Sequence, residues 1–437
     1  MTECTPPTLN FPACKRRAVQ AEFSGDDITS DGGLLLIRQA DRLHGLCERV
    51  AASLPDQRDQ SRITHKLIDL VRQRIFGIAA GYEDLNDHEM LRKDPAFQTS
   101  VNRDTDLASS ATLCRLENSA TSEIFWKIQN IMVDHFMDSF TKPPDELILD
   151  FDATDDPVHG LQVGRFFHGY YDEYCFLPLY VFCGDQLLVS YLRTSGQDGA
   201  KHAGAILRWL VNRFRQKWPN VRIIFRADSG FCRARYLSWC ERNRVDYVIG
   251  LTKNPRLERL SAFQERIAEA VFNATGRDYR LIDEIEYGSC SWKQSRRVIV
   301  RAHHSAKGKN PRFVVTNLEY DPTVIYDDIY CQRGEAENRI KEQQLCLFAD
   351  RTSCHDWWPN QLRLFFSSIA YILLETIRRT ALYGTNLAHA RCDTIRLKLI
   401  KIGAVILRNT RRVRFLLSSA NPNKELFFLV ARRLASR

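Results

Sequence analysis

Glu146-Leu-Ile-Leu-Asp-Phe-Asp152 is the stretch on which the reading of this 437-residue chain turns. It follows Lys142-Pro-Pro144, where helical periodicity stops, and it is a short apolar run that ends in acids, the pattern of a buried strand. Val221-Arg-Ile-Ile-Phe-Arg-Ala-Asp228 has the same form. Between the two, Cys175 to Phe182 and Gln186 to Arg193 read as strands joined at Gly184-Asp185. A helix is expected from about Asp198, with Ala205, Ile206, Trp209, Leu210 and Phe214 on its apolar face. After Asp228 come a helix through Tyr236 and Trp239 and a strand, Tyr247-Val-Ile-Gly250.

Three antiparallel-looking strands followed by alternating helix and strand is the element order of a ribonuclease H-like α/β core. Its first part spans residues 143–256 and its second part, with the helix that carries Glu337, spans 321–385. Residues 257–320 interrupt it. Strand-like runs at Tyr279 to Tyr287, Trp292 to Arg301 and Arg312 to Leu318 make this a β-rich insertion. Upstream, residues 1–25 read as a flexible, Pro-containing arm and 26–142 as an all-helical domain. Its helices carry Arg58, Arg62, Lys66, Arg72, Arg74, Arg92, Lys93, Arg103 and Arg115, which suits either a DNA-reading helix-turn-helix or a bundle with an ordinary charged surface. Residues 386–437 read as a basic C-terminal region with a hairpin and a final helix.

Charge supports a polyanionic partner through its distribution. The chain carries +9, yet residues 351–437 hold 16 Lys+Arg against 4 Asp+Glu. That segment exceeds the whole chain's surplus, as expected of a surface that follows phosphates, with Arg411, Arg412 and Arg414 its densest cluster. None of the 13 cysteines forms a Cys-x-x-Cys pair or finger spacing, so they read as reduced cytosolic residues. No secretory signal opens the chain, and the most apolar run, Leu362 to Leu373, is too short to span a membrane.

Three acids stand out by context: Asp152 and Asp228 on strands, and Glu337 on a helix. Buried strands that end in carboxylates are costly unless a cation pairs them, and Mg²⁺ favours such oxygen ligands. Two ions roughly 3.5–4 Å apart would support in-line displacement at phosphorus. Asp150, Asp155 or Asp156 could replace Asp152 as ligand, and Asp228 could simply cap the next helix. In Tyr330-Cys-Gln-Arg-Gly-Glu-Ala-Glu-Asn-Arg-Ile-Lys341, helical spacing puts Tyr330, Arg333, Glu337, Lys341 and Gln344 on one stripe. Glu335 points about 200° away from Glu337, so only one of them shares that stripe. Lys253 and Arg256, just after Gly250, read as DNA-backbone contacts.

Asp-Ala-Thr-Asp-Asp-Pro-Val-His-Gly160, Arg-Ala-Asp-Ser-Gly-Phe231 and Tyr330-x-x-Arg333-x-x-x-Glu337 resemble the three acid-bearing motifs of DDE transposases from bacterial insertion sequences. The likeness runs from about residue 25 to the C-terminus. It implies that Asp152, Asp228 and Glu337 are the catalytic, metal-binding triad, served by two Mg²⁺ ions with Mn²⁺ able to substitute. It implies that Tyr330 and Arg333 contact phosphates at the element's end. The signature's Lys, seven residues after the Glu, is Gln344 here, and Lys341 stands one turn nearer on the same face. Related enzymes hold a flipped base with aromatic side chains, a role Trp292 could fill. The implied activity is binding of terminal inverted repeats, nicking, and attack of the freed 3′-OH on target DNA by a homodimer in the bacterial cytoplasm, at the nucleoid. A nuclease without strand transfer shares the same metal chemistry, and a non-catalytic DNA-binding relative is the contrasting class.

Overall fold

Leu147, Leu149 and Phe151 point to one side of their strand while Ile148, Asp150 and Asp152 point to the other, and this alternation organises the larger of two compact units. The computed structural model describes residues 8–25 and 27–436. The larger unit comprises residues 52–55 and 117–375; the other comprises 1–51, 56–116 and 376–437.

The larger unit is built on a nine-stranded mixed sheet. Its principal strands are β1 (Glu146–Ala153), β2 (Leu179–Cys183), β3 (Gln186–Tyr191), β4 (Arg222–Ala227), β5 (Asp246–Leu251), β6 (Tyr279–Tyr287), β7 (Arg296–Ser305) and β8 (Arg312–Thr316). Their order across the sheet is β6-β7-β8-β5-β4-β1-β2-β3. The meander β1-β2-β3 is antiparallel, whereas β4 runs parallel to β1 and β5 parallel to β4. The insertion strands do not form a sheet of their own. β8 pairs antiparallel with β5 and with β7, so β6, β7 and β8 lengthen the central sheet.

One face of the sheet buries Leu149, Phe151, Ile223 and Phe225 with Leu210 and Phe214 of the helix Ala203–Lys217 and with Phe136 of the helix Glu123–Asp138. Ile206, Leu210 and Phe214 recur at helical spacing, which is why that helix lies flat on the strands. The opposite face packs Ile224, Val248, Ile299 and Val314 against Ile325, Tyr326 and Ile329 of a wide helical turn, Val324–Tyr330. That turn leads directly into the helix Arg333–Leu347. The long helix that follows, Trp357–Ala381, ties its first turns to β3: Gln361 accepts from the Leu192 amide at 2.8 Å, and the Ser368 and Ser190 hydroxyls meet at 2.7 Å.

The second unit joins the two ends of the chain. Residues expected in the arm form an exposed hairpin, Leu9–Cys14 with Arg17–Ala21; residues 1–7 lie outside the described residues. The regular elements of the segment 27–116 are helices apart from Ile28–Thr29, which pairs with Ala404 and Val405 of a C-terminal hairpin, Ala404–Asn409 and Arg412–Leu417. Gly33 lies so close to the Leu399 carbonyl that a Cβ would come within 1.8 Å of that oxygen, so only glycine permits this approach. Among the described residues no helix is long and apolar enough to cross a membrane.

Candidate active site

Register across β1 and β4 sets the site. Arg226 stands directly opposite Asp150, and the next residues on the same face are Asp228 and Asp152, one step beyond the Ala227–Phe151 pair. The first row neutralises itself. Arg226 Nη2 donates to Asp150 Oδ2 at 2.6 Å, its Nε donates to Oδ1, and its Nη1 donates to the Ile329 carbonyl at 2.5 Å, with both side chains buried. That last bond ties the Val324–Tyr330 turn to the sheet. Asp150 is thereby removed from the alternatives to Asp152, because its carboxylate is already paired beneath the site. The second row sets carboxylate beside carboxylate at the C-terminal ends of parallel strands, where open α/β sheets place their ligands. Asp228 does cap the turn Ser229–Phe231, accepting from the Gly230 amide at 2.9 Å, and this leaves a second carboxylate oxygen for another partner.

The helix Arg333–Leu347 answers this second row. Its inner residues Ala336 and Ile340 are buried, Gln343 donates to Ser368 Oγ at 2.9 Å, and this packing turns Arg333 and Glu337 toward the strand ends. Arg333 Nη1 lies 3.4 Å from Asp152 Oδ2, and its Nη2 donates to Glu337 Oε1 one helical turn on. One guanidinium therefore bridges two of the three candidate acids. Asp152 is only 15% exposed and Glu337 40%, so the first is sheltered and the second reachable. Burial pushes the Asp152 carboxyl up to about 7, Arg333 opposes that rise, and the neighbouring Asp228 and Glu337 add to it. Glu335 points outward and is exposed.

Tyr330 sits on the same face over Gly250 of β5. A Cβ at position 250 would lie 2.6 Å from the Tyr330 hydroxyl and 2.9 Å from the Ser229 amide nitrogen. Glycine is thus what lets the phenol reach the Asp228 turn. Lys341 is exposed on the stripe. Gln344 faces inward: its Nε2 donates to Asp156 Oδ1 at 3.0 Å and to the Asp155 carbonyl at 2.9 Å. Asp156 is fully buried, its carboxyl held well above the usual range by burial, so it belongs to the interior.

The remaining candidates lie at greater remove. Lys253 pairs with Glu258 at 3.6 Å, and the Arg256 guanidinium stands over the Tyr287 ring at 5.7 Å. Trp292 meets Tyr287 edge-on at 5.4 Å and carries Arg296 over its ring at 4.9 Å. Trp292 and Tyr287 line a cavity of about 540 Å³ with Arg233, Arg235 and Asn254, close after the Asp228 turn in sequence. Arg411, Arg412 and Arg414 are exposed on the C-terminal hairpin, which belongs to the other compact unit.

Sequence reasoning missed Arg226 and Gly250. The available signal for Arg226 was an arginine inside an apolar strand run, matched by Asp150 in the equivalent place of β1. Gly250 had no local signal, since its neighbour comes from a turn 80 positions on.

Three carboxylates offer the hard oxygen donors that a divalent cation prefers, and the raised Asp152 marks a charge deficit that a cation relieves. Arg333 supplies that charge here, and among the described residues no group of three or more His, Cys, Asp or Glu stands in a metal-holding arrangement. A family model described as the transposase DDE domain, group 1, matches residues 11–437. The chain belongs to this family. It is a DNA transposase, and members of the family generally act with divalent metal ions. No curated protein matches the transposase. Among solved structures, a piggyBac transposase synaptic complex with hairpin DNA is similar at 13% identity and a TM-score of 0.42, over 86% of this transposase and 82% of that chain.

Proposed function

We propose that this transposase binds the terminal inverted repeats of a bacterial insertion sequence, nicks at the element ends and joins the freed 3′-OH to target DNA. Family membership, the side-by-side placement of Asp152 and Asp228 at the ends of β1 and β4, and Glu337 on the helix beside them support this reading, with Arg333 against Asp152 and Glu337 as the single observation that carries it. The order β3-β2-β1-β4-β5, antiparallel then parallel, supports a ribonuclease H-like core for residues 143–256 and 321–385, preceded by the helical DNA-binding segment 26–142. Bound at the three carboxylates, two Mg²⁺ ions would activate the attacking oxygen and stabilise the leaving one.

The chain's own groups divide the remaining work. Arg333, which pairs with Asp152 and Glu337, would be free to hold a DNA phosphate if those carboxylates held a metal, since a guanidinium pairs with either anion. Tyr330 positions a phosphate from its seat on Gly250. Lys341, Lys253 and Arg256 follow the backbone, and Trp292 with Tyr287 offers an aromatic wall for an unstacked base. Arg411, Arg412 and Arg414 hold flanking duplex in the same sequence-independent way. A homodimer would pair the two ends, in the cytoplasm at the nucleoid.

The test incubates purified protein with Mg²⁺ or Mn²⁺ and a duplex carrying the element end. Nicking and joining are expected, both lost in Asp152→Asn, Asp228→Asn and Glu337→Gln. Nicking without joining would make the protein a nuclease, and binding without nicking a non-catalytic relative. Mn²⁺ should also raise the melting temperature of the wild type and not of Asp152→Asn, a readout independent of turnover.

A further inference from the structure

The sheet face that seats Tyr330 ends in arginines that the transposase reading leaves unused. Ile282 of β6, Ile299 of β7 and Val314 of β8 pack on the Val324–Tyr330 turn. Side chains alternate along a strand, so Arg280, Arg301 and Arg312, each two residues from one of these, project from the same face. Arg301 and Arg312 are direct cross-strand partners.

Like charges set opposite each other on antiparallel strands destabilise a sheet. Arg280 has an answer, two hydrogen bonds to Asp327 at 2.8 and 2.9 Å. Arg301 has only a 3.4 Å contact from Nη1 to the Tyr326 hydroxyl, and its buried Nε has no partner. Arg312 is exposed. Among the described residues neither Arg301 nor Arg312 has a carboxylate within ion-pair distance, although this sheet supplies acids to Arg297 and Arg222.

Their place relative to the acids gives this unmatched charge a direction. Val314, two residues from Arg312, pairs with Gly250, on which Tyr330 rests beside the Asp228 turn. Burial pushes the Tyr330 phenol up, and Arg333 and Arg312 both pull it back, so the two guanidinium groups act on the same ring. The Cys331 thiol, raised by burial and by Asp327, is pulled back by Arg301, Arg280 and Arg312. Arg301 and Arg312 thus lie on the face that seats Tyr330, on strands that lead to Gly250 and the Asp228 turn.

We propose that Arg301 and Arg312 form a phosphate clamp, which grips the sugar-phosphate backbone of the DNA strand leading to Tyr330 and the three acids. A phosphodiester between two guanidinium groups accepts hydrogen bonds from both and cancels their repulsion. The insertion strands, by joining the central sheet, carry this clamp to the edge of the site. The inference rests on the transposase reading and adds to it a contact on β7 and β8.

The test measures binding of an element-end duplex by fluorescence anisotropy across a KCl series, alongside thermal melts without DNA. Arg301→Gln and Arg312→Gln should each flatten the slope of log K against log salt by about 0.9. Each should melt at or above the wild-type temperature, because a repulsive pair has been removed. Arg280→Gln is the control: it breaks the pair with Asp327, should melt lower and should keep the slope. Inorganic phosphate that protects the wild type as well as the duplex does would make the pair a free-anion site and overturn the clamp. A wild type that binds DNA with a steep slope retained by both Gln variants also overturns it while leaving the transposase reading intact. A wild type that binds no duplex defeats that reading and the clamp with it.

Discussion

At Asp152 the electrostatics of the site become measurable. Its carboxyl, pushed up to about 7 by burial, loses its proton at far lower pH in the unfolded chain. The folded state therefore binds the extra proton between about pH 4 and 7, and this contribution to stability is present at low pH and lost as pH rises through 7. Asp152→Asn should accordingly be more stable than wild type at pH 8, by roughly 2–4 kcal/mol at most, and indistinguishable near pH 4. Urea unfolding at the two pH values checks this; equal stability at pH 8 would mean that Arg333 already compensates the charge in full. Gln344 gives a second residue-scale test. Its amide holds the fully buried Asp156 carboxyl. Gln344→Ala should cost about 1–3 kcal/mol in thermal or urea denaturation, the penalty of an unsatisfied buried polar group, and leave the salt dependence of DNA binding unchanged. Lys341→Gln should do the reverse, flattening the slope by about 0.9 with little effect on melting. A flattened slope in Gln344→Ala would place that residue on DNA after all.

Among the elements, the turn Val324–Tyr330 couples sheet to helix. It is held from below by Arg226 through the Ile329 carbonyl and from the side by Gly250, over which Tyr330 lies. Gly250→Ala would bring a methyl group within 2.6 Å of the phenol oxygen and 2.9 Å of a backbone nitrogen, so the turn must shift. A displacement of about 1 Å near reacting groups can cost on the order of 100-fold in rate. Nicking by Gly250→Ala is therefore expected to fall by about that factor, while the strands, buried on both faces, keep the protein folded. Wild-type nicking with an unchanged melt would show that Tyr330 has no positioning role. The strands themselves were legible at the level of local sequence: β1, β4 and β5 announce themselves by apolar runs, and the hairpin β2-β3 by Gly184-Asp185. The attachment of β8 to β5 was not, because Val314 meets Gly250 through a pairing 64 positions apart and no local periodicity encodes a partner.

Over the whole molecule, the chain's two ends share one compact unit. Ile28 and Thr29 find their strand partner at Val405 and Ala404, the Gly32 amide donates to the Ile402 carbonyl at 2.9 Å, and Gln39 Nε2 donates to the Leu434 carbonyl at 3.3 Å. Removing residues 376–437 should therefore unfold the helix Leu34–His44 and its neighbours while β1 to β5 keep their protection in hydrogen exchange. Retained protection at residues 34–44 would show that the N-terminal helices stand alone. What the sequence by itself determined is the order of the main strands and helices of the larger unit, the three acids in their order, and the stripe that sets Arg333 and Glu337 on one side of a helix, because side-chain periodicity of 2 and 3.6 is a local property. Only the tertiary structure decided that Asp150 is consumed by Arg226, that Arg333 stands against both Asp152 and Glu337, that Gln344 turns inward, and that the insertion lengthens the sheet. Those outcomes depend on register between strands distant in the chain, and register is settled by which packed face buries the most apolar surface while leaving the fewest charges unpaired.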